Sequence, residues 1–469
     1  MTQNQKIAKI YENIDQNIES HTMRVQEFLR HPSVASQDMG MRECAELFLG
    51  YIEKLGFGDL ELVETDRHPV ACGRYDAGSE TTLIIHGMYD TAPVGDEEEW
   101  ITPPFKAKIS MIDGFGKCIV APGALRKAPN ATFVNALESI LEVDGNLPVN
   151  LVFNVEGEHG LMSPNYPQFY QKYKHKIEDA NAVFWPMASQ NSNGRVVVKL
   201  GDKGMMGFQL ECSGKLWGRG PIEKPLHNAD AGIVDNNTWR LMNALCSMTE
   251  RDGSEIAIDG YFDDILPPTK YDLELVDSMA EKFDEEALKK SWQVERFVNE
   301  LQGKELLIRH LFSPVLCVGN IHGGKPRPAP YPVSRADIHI RLIPDQTVEG
   351  ILQKVRSHLD RRGYTDIQIK SQYGVPWVRT APENPLARAT IKAYEDLGQE
   401  VEVWPTGTKT PPTGVYGLPY MDGGLGYGRR GLNEMMVVDD VGKIAGISKS
   451  EKYFVQLLYK YKKMSESRS

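Results

Sequence analysis

Residues 81–93 read TTLIIHGMYDTAP, and this stretch decides the fold of the first half of the chain. It opens with β-branched and apolar residues in an unbroken run, which is typical of a strand buried on both faces. Comparable runs at 149–155 and 182–185 predict two further strands, and helical patterns lie between them. Strands that alternate with helices form mainly parallel sheets, whose functional residues follow the carboxyl ends of the strands. The residues from His86 and from Glu156 onward are therefore the first candidates for a site.

The pattern changes in the second part of the chain. Strands and helices are expected there in the order β-α-β-β-α-β, which is the ferredoxin-like arrangement. A charged, mostly helical stretch at 250–312 interrupts this order, and we expect it to form a solvated helical face. The helix–strand alternation then resumes towards the C-terminus. We therefore predict an α/β domain built from residues 1–205 and 377–469 and split by an inserted α+β domain at 206–376.

Composition and charge exclude several classes of partner. The chain has 469 residues and a net charge of -11, which argues against nucleic acid or an anionic membrane, since both require a basic surface. No apolar run approaches the roughly 20 residues that span a bilayer, and the polar start of the sequence lacks the features of a signal peptide. The six cysteines form no C-x-x-C pair, which is typical of a reducing compartment. We therefore expect a cytoplasmic protein without a membrane or nucleic-acid partner.

A series of short segments along the chain resembles the motifs of M20 metallopeptidases and amidohydrolases. In chain order, these segments are HGMYDTAP (86–93), WITPPF (100–105), GALRK (123–127), EGEHGLMSP (156–164), HNADAG (227–232), RLIP (341–344), GT (407–408) and RGLNE (430–434). The resemblance implies a zinc-exopeptidase-like α/β/α domain, split by an inserted ferredoxin-like α+β domain that serves as a lid and pairs two subunits. It also implies hydrolysis of a C–N bond at a two-zinc centre.

The positions that hold the metal ligands in this family carry other residues here. In chain order, they are occupied by Met88, by Arg126 or its neighbour, by His159 and Gly160, by residues 186–188, and by Arg430. Arginine stays protonated and does not ligate, and methionine is a soft ligand unsuited to zinc among oxygen donors. We therefore expect no resident metal. The alternative is a single zinc or manganese ion held by Asp90, Glu158 and His86 or His159.

Positive side chains take the place of positive metal ions in this alignment. Guanidinium groups bind carboxylate or phosphate bidentately and stabilise an oxyanion. His159 occupies the position of the general base and titrates near neutral pH. We therefore identify His159, Asp90 and Glu158 as catalytic candidates. The substrate-binding candidates are Arg126, Lys127, His227, Arg341, Gly407, Thr408 and Arg430.

Each of these candidates also has a structural interpretation. Asp90 is at the position where an aspartate caps the turn after a strand. Arg126 and Lys127 are residue types that usually form surface ion pairs, and the sequence alone shows no partner for His159. These structural alternatives stay open.

Three hypotheses for the function follow. In the first, the protein hydrolyses a small amide, peptide or N-acyl amino acid with a degenerate metal site. In the second, it is a metal-independent enzyme that uses Arg126, His159 and Arg430 for different chemistry on a small anionic substrate. In the third, it is a catalytically inactive or redesigned binding protein of the same fold. The resemblance also implies a homodimer formed through the inserted domain.

Overall fold

A computed structural model describes residues 2–324 and 329–467 of the chain. Its helices are α1 (Gln3–Gln16), α2 (Ile18–Arg30), α3 (Met41–Glu53), α4 (Ala128–Asp144), α5 (Tyr166–Tyr173), α6 (Gly214–Trp217), α7 (Asn237–Cys246), α8 (Lys270–Ala280), α9 (Glu285–Trp292), α10 (Gly303–Phe312), α11 (Val348–Arg361), α12 (Pro385–Asp396) and α13 (Ile447–Glu466).

The strands in the same part of the chain are mostly short. They are β1 (Gly58–Val63), β2 (Val70–Tyr75), β3 (Thr82–Met88), β4 (Lys108–Ile112), β5 (Gly116–Val120), β6 (Asn150–Glu156), β7 (Ala180–Pro186), β8 (Val196–Lys199), β9 (Gly201–Asp202), β10 (Gly204–Ser213), β11 (Thr249–Glu250), β12 (Glu255–Ile256), β13 (Val315–His322), β14 (Val333–Leu342), β15 (Gln368–Val375), β16 (Val378–Arg379), β17 (Val401–Trp404), β18 (Tyr420–Gly423), β19 (Gly428–Arg429) and β20 (Met435–Val437).

The first of two compact units comprises Met1–Gly201, Arg379–Trp404 and Val415–Ser469. Its main sheet has the order β1-β2-β6-β3-β7-β18. The strands β6, β3, β7 and β18 run parallel to one another. At one edge, β2 pairs antiparallel with β6, and β1 pairs antiparallel with β2. Both β3 and β6 are buried along their whole length, which explains their continuous apolar sequence. The carboxyl ends of β6, β3 and β7 therefore lie side by side.

A smaller antiparallel sheet of the first unit has the order β19-β20-β5-β4. Its strands enclose a separate apolar cluster that includes Trp100, Val120 and Met435. The backbone N–H of Ala121, directly after β5, donates to the carbonyl of Glu434, directly before β20, at 3.0 Å. This pairing brings the segments that follow β5 and precede β20 together, although they are far apart in sequence.

The second unit comprises Asp202–Val378 and Pro405–Gly414. Its antiparallel sheet has the order β13-β14-β10-β15, with α7 packed on β10 and β14 and α11 on β15. The chain order β10-α7-β13-β14-α11-β15 is ferredoxin-like, so the predicted fold class is confirmed. The helices α8, α9 and α10 lie between α7 and β13, within the stretch that was expected to be helical and charged.

The segment 405–414 belongs to the second unit, whereas the sequence placed it in the second part of the α/β domain. The backbone N–H of Lys409 donates to Asp202 Oδ1 at 3.0 Å, and the Arg341 guanidinium donates to Thr410 Oγ1. These hydrogen bonds join residues distant in sequence, which local patterns do not reveal. None of the helices in the described ranges is both long and apolar enough to cross a membrane.

Candidate functional site

Asp90 lies directly beyond β3 and is fully buried. Its Oδ2 accepts a hydrogen bond from the backbone N–H of Gly160 at 2.6 Å, and its Oδ1 has no hydrogen-bond partner among the described residues. A Cβ at Gly160 would lie 2.9 Å from that Oδ2, so a larger residue at this position would displace the carboxyl group. Burial raises the pKa of Asp90, and the charges of His159 and Arg126 oppose the rise. Asp90 is thus a buried carboxylic group with one free acceptor.

Glu156, at the end of β6, stands between two histidines. Its Oε1 is 3.5 Å from His86 Nε2 and 3.7 Å from His159 Nδ1. Both imidazole rings meet Trp185 edge-on, with centroid distances of 4.6 Å and 5.0 Å. Burial raises the pKa of Glu156 to about 8, although a hydrogen bond from Ser163 opposes it. Burial and the charge of His159 hold the pKa of His86 well below its usual value.

His159 is the accessible member of this cluster. Its side chain is 23% exposed, while the side chain of His86 is completely buried. His159 follows β6 in a short turn, His159–Leu161. Its charge lowers the pKa of both Asp90 and His86. The structure therefore brings His159 and Asp90 together, as predicted from the sequence, and adds Glu156 as the nearest carboxylate to the imidazole.

Glu158 holds loops together instead of joining this cluster. Its Oε1 accepts from the backbone N–H of His68 at 2.8 Å, and its Oε2 accepts from Asn165 Nδ2 at 2.9 Å. Both carboxylate oxygens of Glu158 thus accept hydrogen bonds, and these contacts connect neighbouring loops. Its catalytic role, expected from the sequence, receives no support from this geometry.

Lys127 points into the core, although its neighbour Arg126 lines a cleft. Lys127 Nζ donates to the carbonyl of His31 at 2.8 Å and to Ser33 Oγ at 3.0 Å, and it lies 4.6 Å from the centre of the Phe28 ring. Burial lowers the pKa of Lys127 despite these contacts. The expected contact of Lys127 with substrate therefore does not fit its position.

Arg126 and Arg430 lie at a turn that Glu434 holds in place. Glu434 Oε2 accepts from the backbone N–H of Gly123 at 3.0 Å, and Oε1 accepts from that of Leu125 at 2.9 Å. Arg126 Nη1 is buried and has no hydrogen-bond partner among the described residues. Loss of solvent around the guanidinium lowers the pKa of Arg430, and the charge of Arg126 lowers it further. The two guanidinium groups are thus close enough to repel each other.

Both arginines line a cleft of about 230 Å³ in the first unit. Asp96 and Glu99 also line the cleft. Its apolar wall is formed by Pro93, Val94, Trp100, Pro122 and Leu432. The cleft therefore combines two arginines, three acidic side chains and an apolar wall, so it presents charges of both signs.

The remaining substrate-binding candidates belong to the second unit. Arg341, on β14, donates to Thr410, which is on the same segment as Gly407 and Thr408. His227 is exposed, and its Nδ1 accepts from the backbone N–H of Ala229 at 3.2 Å. The structure therefore brings Arg341 and the 405–414 segment together, while His227 caps a short turn.

The residues at the expected metal positions do not fit a metal centre. Among residues 2–324 and 329–467, no group of three or more His, Cys, Asp or Glu side chains is arranged to hold a metal ion. Met88 is a core residue with 1% exposure. Of the candidates for a single ion, Glu158 is saturated by other donors and His86 is enclosed by Trp185 and Tyr166. The donor set thus does not match the chemistry of a two-zinc site.

The aromatic residues behind the histidines were not predicted from the sequence. His86 Nδ1 lies 3.0 Å from the Tyr166 hydroxyl, which is 2.6 Å from the Tyr416 hydroxyl. The Asn154 side chain donates to the same Tyr416 oxygen at 2.8 Å. Trp185 ends the strand that was predicted at 182–185, so its position at the carboxyl end of that strand could have been inferred from the sequence. No local pattern indicated Tyr166 or Tyr416.

Comparison with known proteins finds no matching family model. The chain is 22% identical over 345 residues to the Beta-Ala-His dipeptidase of Homo sapiens. The aligned region covers 70% of the chain and 64% of that enzyme, so the chain spans less than two thirds of the enzyme's length. It is 22% identical over 386 residues to the Cys-Gly metallodipeptidase DUG1 of Saccharomyces cerevisiae, and 76% of each protein is covered. Its fold matches the M20 family metallo-carboxypeptidase Sso-CP2 from Sulfolobus solfataricus, with a TM-score of 0.80 and 25% identity over 94% of the chain and 99% of that structure.

Proposed function

Because the chain belongs to the M20 family of metallopeptidases and amidohydrolases, we propose that it hydrolyses the C–N bond of a small amide, peptide or N-acyl amino acid. The observation that carries this proposal is the position of His159, which is accessible, lies 3.7 Å from Glu156 and is electrostatically coupled to Asp90. An imidazole supported by carboxylates is a suitable general acid and base at neutral pH.

In this proposal, His159 accepts a proton from the water that attacks the carbonyl carbon. It then returns a proton to the amine nitrogen as the C–N bond breaks, so that no net proton is gained or lost by the protein. The charge of the imidazolium favours the ionised form of the Asp90 carboxyl group, which stabilises the imidazolium between the two steps. The guanidinium groups of Arg126 and Arg430 stabilise negative charge on the carbonyl oxygen.

The pair of arginines favours a second candidate function. A metal-independent enzyme with different chemistry would use Arg126 and Arg430 to bind a small anionic substrate and His159 to move a proton. The third candidate is a binding protein of the same fold without catalytic activity, in which the cleft is retained but no bond is broken.

A substrate panel separates these candidates. Purified protein is incubated with dipeptides and N-acyl amino acids, with and without a chelator, and released amine is measured. We expect turnover that the chelator does not abolish, since the donor set does not fit a metal centre. Absence of turnover across the panel would favour the second or third candidate. Two tightly bound equivalents of zinc or manganese in the purified protein would contradict our assignment of the ligand positions.

We also propose that the protein is a homodimer formed through the second unit. The strand β13 is at the edge of its sheet, and most of its residues are exposed. Apolar side chains on this edge include Val315, Val318 and Ile321. An edge strand with exposed apolar residues pairs readily with another chain, and a second copy of the same edge is the simplest partner.

A further inference from the structure

A buried hydrogen-bonded network ends beside His159. His86 on β3 and Asn154 on β6 are register partners in neighbouring parallel strands, so their side chains are on the same face of the sheet. The Asn154 side-chain nitrogen donates to the Tyr416 hydroxyl at 2.8 Å, and the Tyr416 and Tyr166 hydroxyl oxygens are 2.6 Å apart. The Tyr166 hydroxyl lies 3.0 Å from His86 Nδ1. We call Asn154, Tyr416, Tyr166 and His86, which are all buried, the Tyr166 network.

The hydrogen bonds of the Tyr166 network have one favoured direction. Tyr416 accepts from Asn154, so its own hydroxyl proton is available to the Tyr166 oxygen. Tyr166 has a single hydroxyl proton and donates it to His86 Nδ1. In the opposite direction, Asn154 and Tyr166 would both donate to Tyr416, whose own proton would then have no acceptor within the network. An unused buried donor is costly, so the direction towards His86 is favoured.

An acceptor oxygen of Glu156 at the other end of the network favours the same direction. Glu156 Oε1 accepts from Ser163 Oγ at 2.9 Å and lies 3.5 Å from His86 Nε2. Burial keeps His86 neutral by holding its pKa well below the usual value, and a neutral imidazole carries its hydrogen on one nitrogen. When Nδ1 accepts from Tyr166, the hydrogen is on Nε2 and faces the Glu156 oxygen. In the other tautomer, the Nε2 lone pair would face that oxygen and repel it.

The contact between His86 and Glu156 reaches His159 through the same oxygen. Glu156 Oε1 is 3.7 Å from His159 Nδ1. Its distance from His86 Nε2 exceeds that of a direct hydrogen bond, so the attraction is electrostatic and depends on which His86 nitrogen carries the hydrogen. Both imidazole rings also meet Trp185 edge-on. A change of the His86 tautomer would therefore change the position of the carboxyl group that lies against His159.

We propose that Tyr166 is a positioning residue of this site, which fixes His86 in the form with hydrogen on Nε2 and thereby keeps Glu156 Oε1 directed at the His159 imidazole. Tyr166 is buried and acts through His86 and Glu156, without contact with the substrate. The effect of Tyr166 on catalysis rests on the proposed hydrolysis. The tautomer of His86 is a property of the folded chain and is measured without substrate.

Nitrogen-15 NMR of the histidine rings in the full chain tests the tautomer. The chemical shifts of the two ring nitrogens show which one carries the hydrogen, and the loss of signals in His86→Gln or His86→Asn identifies those of His86. We expect the hydrogen on Nε2 in the wild type, and a population with hydrogen on Nδ1 in Tyr166→Phe, which keeps the ring and removes the donor. Hydrogen on Nδ1 in the wild type, or unchanged His86 shifts in Tyr166→Phe, would overturn the proposal. Circular dichroism shows whether Tyr166→Phe folds, and the wild-type tautomer decides if it does not.

Steady-state kinetics with a compound that is turned over test the effect on catalysis. We expect Tyr166→Phe to lower kcat about two- to tenfold, the equivalent of one net hydrogen bond, and to leave KM unchanged. The control is Tyr170→Phe on the same helix, α5, because the Tyr170 ring also meets Tyr416 edge-on but is not part of the Tyr166 network. Unchanged kcat in Tyr166→Phe, or an equal loss in both variants, would contradict a positioning role. The NMR measurement needs no turnover, so its failure is distinct from a failure of the hydrolysis assay.

Discussion

At the scale of single residues, the chemistry centres on His159. The imidazole is partly exposed, while Glu156 and Asp90 beside it are buried carboxyl groups. Buried acids with raised pKa values near a histidine are typical of sites that move protons. The histidine is therefore the member of this cluster that reaches solvent.

Replacing His159 by alanine tests this role. We expect His159→Ala to lower kcat about 10²- to 10⁴-fold, as loss of a general acid–base does, with a smaller effect on KM. The measurement is steady-state hydrolysis of whichever compound of the panel is turned over. His175→Ala removes an exposed histidine of the same unit and is the control. Unchanged kcat in the His159 variant would exclude the proposed acid–base role.

At the scale of elements, a buried ion pair joins helices of the first unit. His21 on α2 lies 2.8 Å from Glu451 on α13 and 3.6 Å from Glu138 on α4. Burial alone lowers the pKa of His21, but hydrogen bonds that the imidazole donates to Glu138 and Glu451 outweigh it and raise the pKa to about 9. The Asn135 side chain donates to the second oxygen of Glu451 at 2.7 Å. The three helices are thus fixed by a charged, hydrogen-bonded contact.

This contact predicts a pH-dependent contribution to stability. The folded pKa of His21 lies above the value of roughly 6.5 expected in the unfolded chain, so the stabilisation is complete below about pH 6.5 and is lost as the pH rises through 9. We expect His21→Gln to reduce the free energy of unfolding by on the order of 3 kcal/mol at pH 6 and by less at pH 9.5. Urea denaturation at both pH values measures the difference, with His175→Gln as control. A difference that grows with pH would contradict this account.

At the scale of the whole molecule, the exposed β13 edge of the second unit predicts the oligomeric state. We expect a dimer in solution, and we expect Val318→Lys to convert it to monomers, because a lysine on an edge strand opposes pairing. Sedimentation equilibrium measures the mass. Val298→Lys replaces another exposed valine of the same unit and should leave the dimer intact. A monomeric wild type, or a dimer that persists in Val318→Lys, would exclude this interface.

The central strands could be predicted from the sequence, whereas the unit to which segment 405–414 belongs could not. The apolar runs that became β3 and β6 were recognised because strands buried on both faces need no polar alternation. The loss of metal ligands at Met88 and Arg430 stays a prediction from the sequence, made because these residue types are not the usual ligands. The segment 405–414 was assigned to the other unit because its anchors, Asp202 and Arg341, are remote in sequence.

The sequence by itself thus determined the fold class and which residues follow the central strands, because both depend on local apolar patterns. Only the tertiary structure decided which of those side chains reach the cleft. Arg126 and Lys127 are adjacent, yet Arg126 lines the cleft while Lys127 points to Ser33 in the core. Glu158 is likewise engaged by loop partners such as His68. The direction of a side chain is set by partners far along the chain, and these come together only when the domain folds.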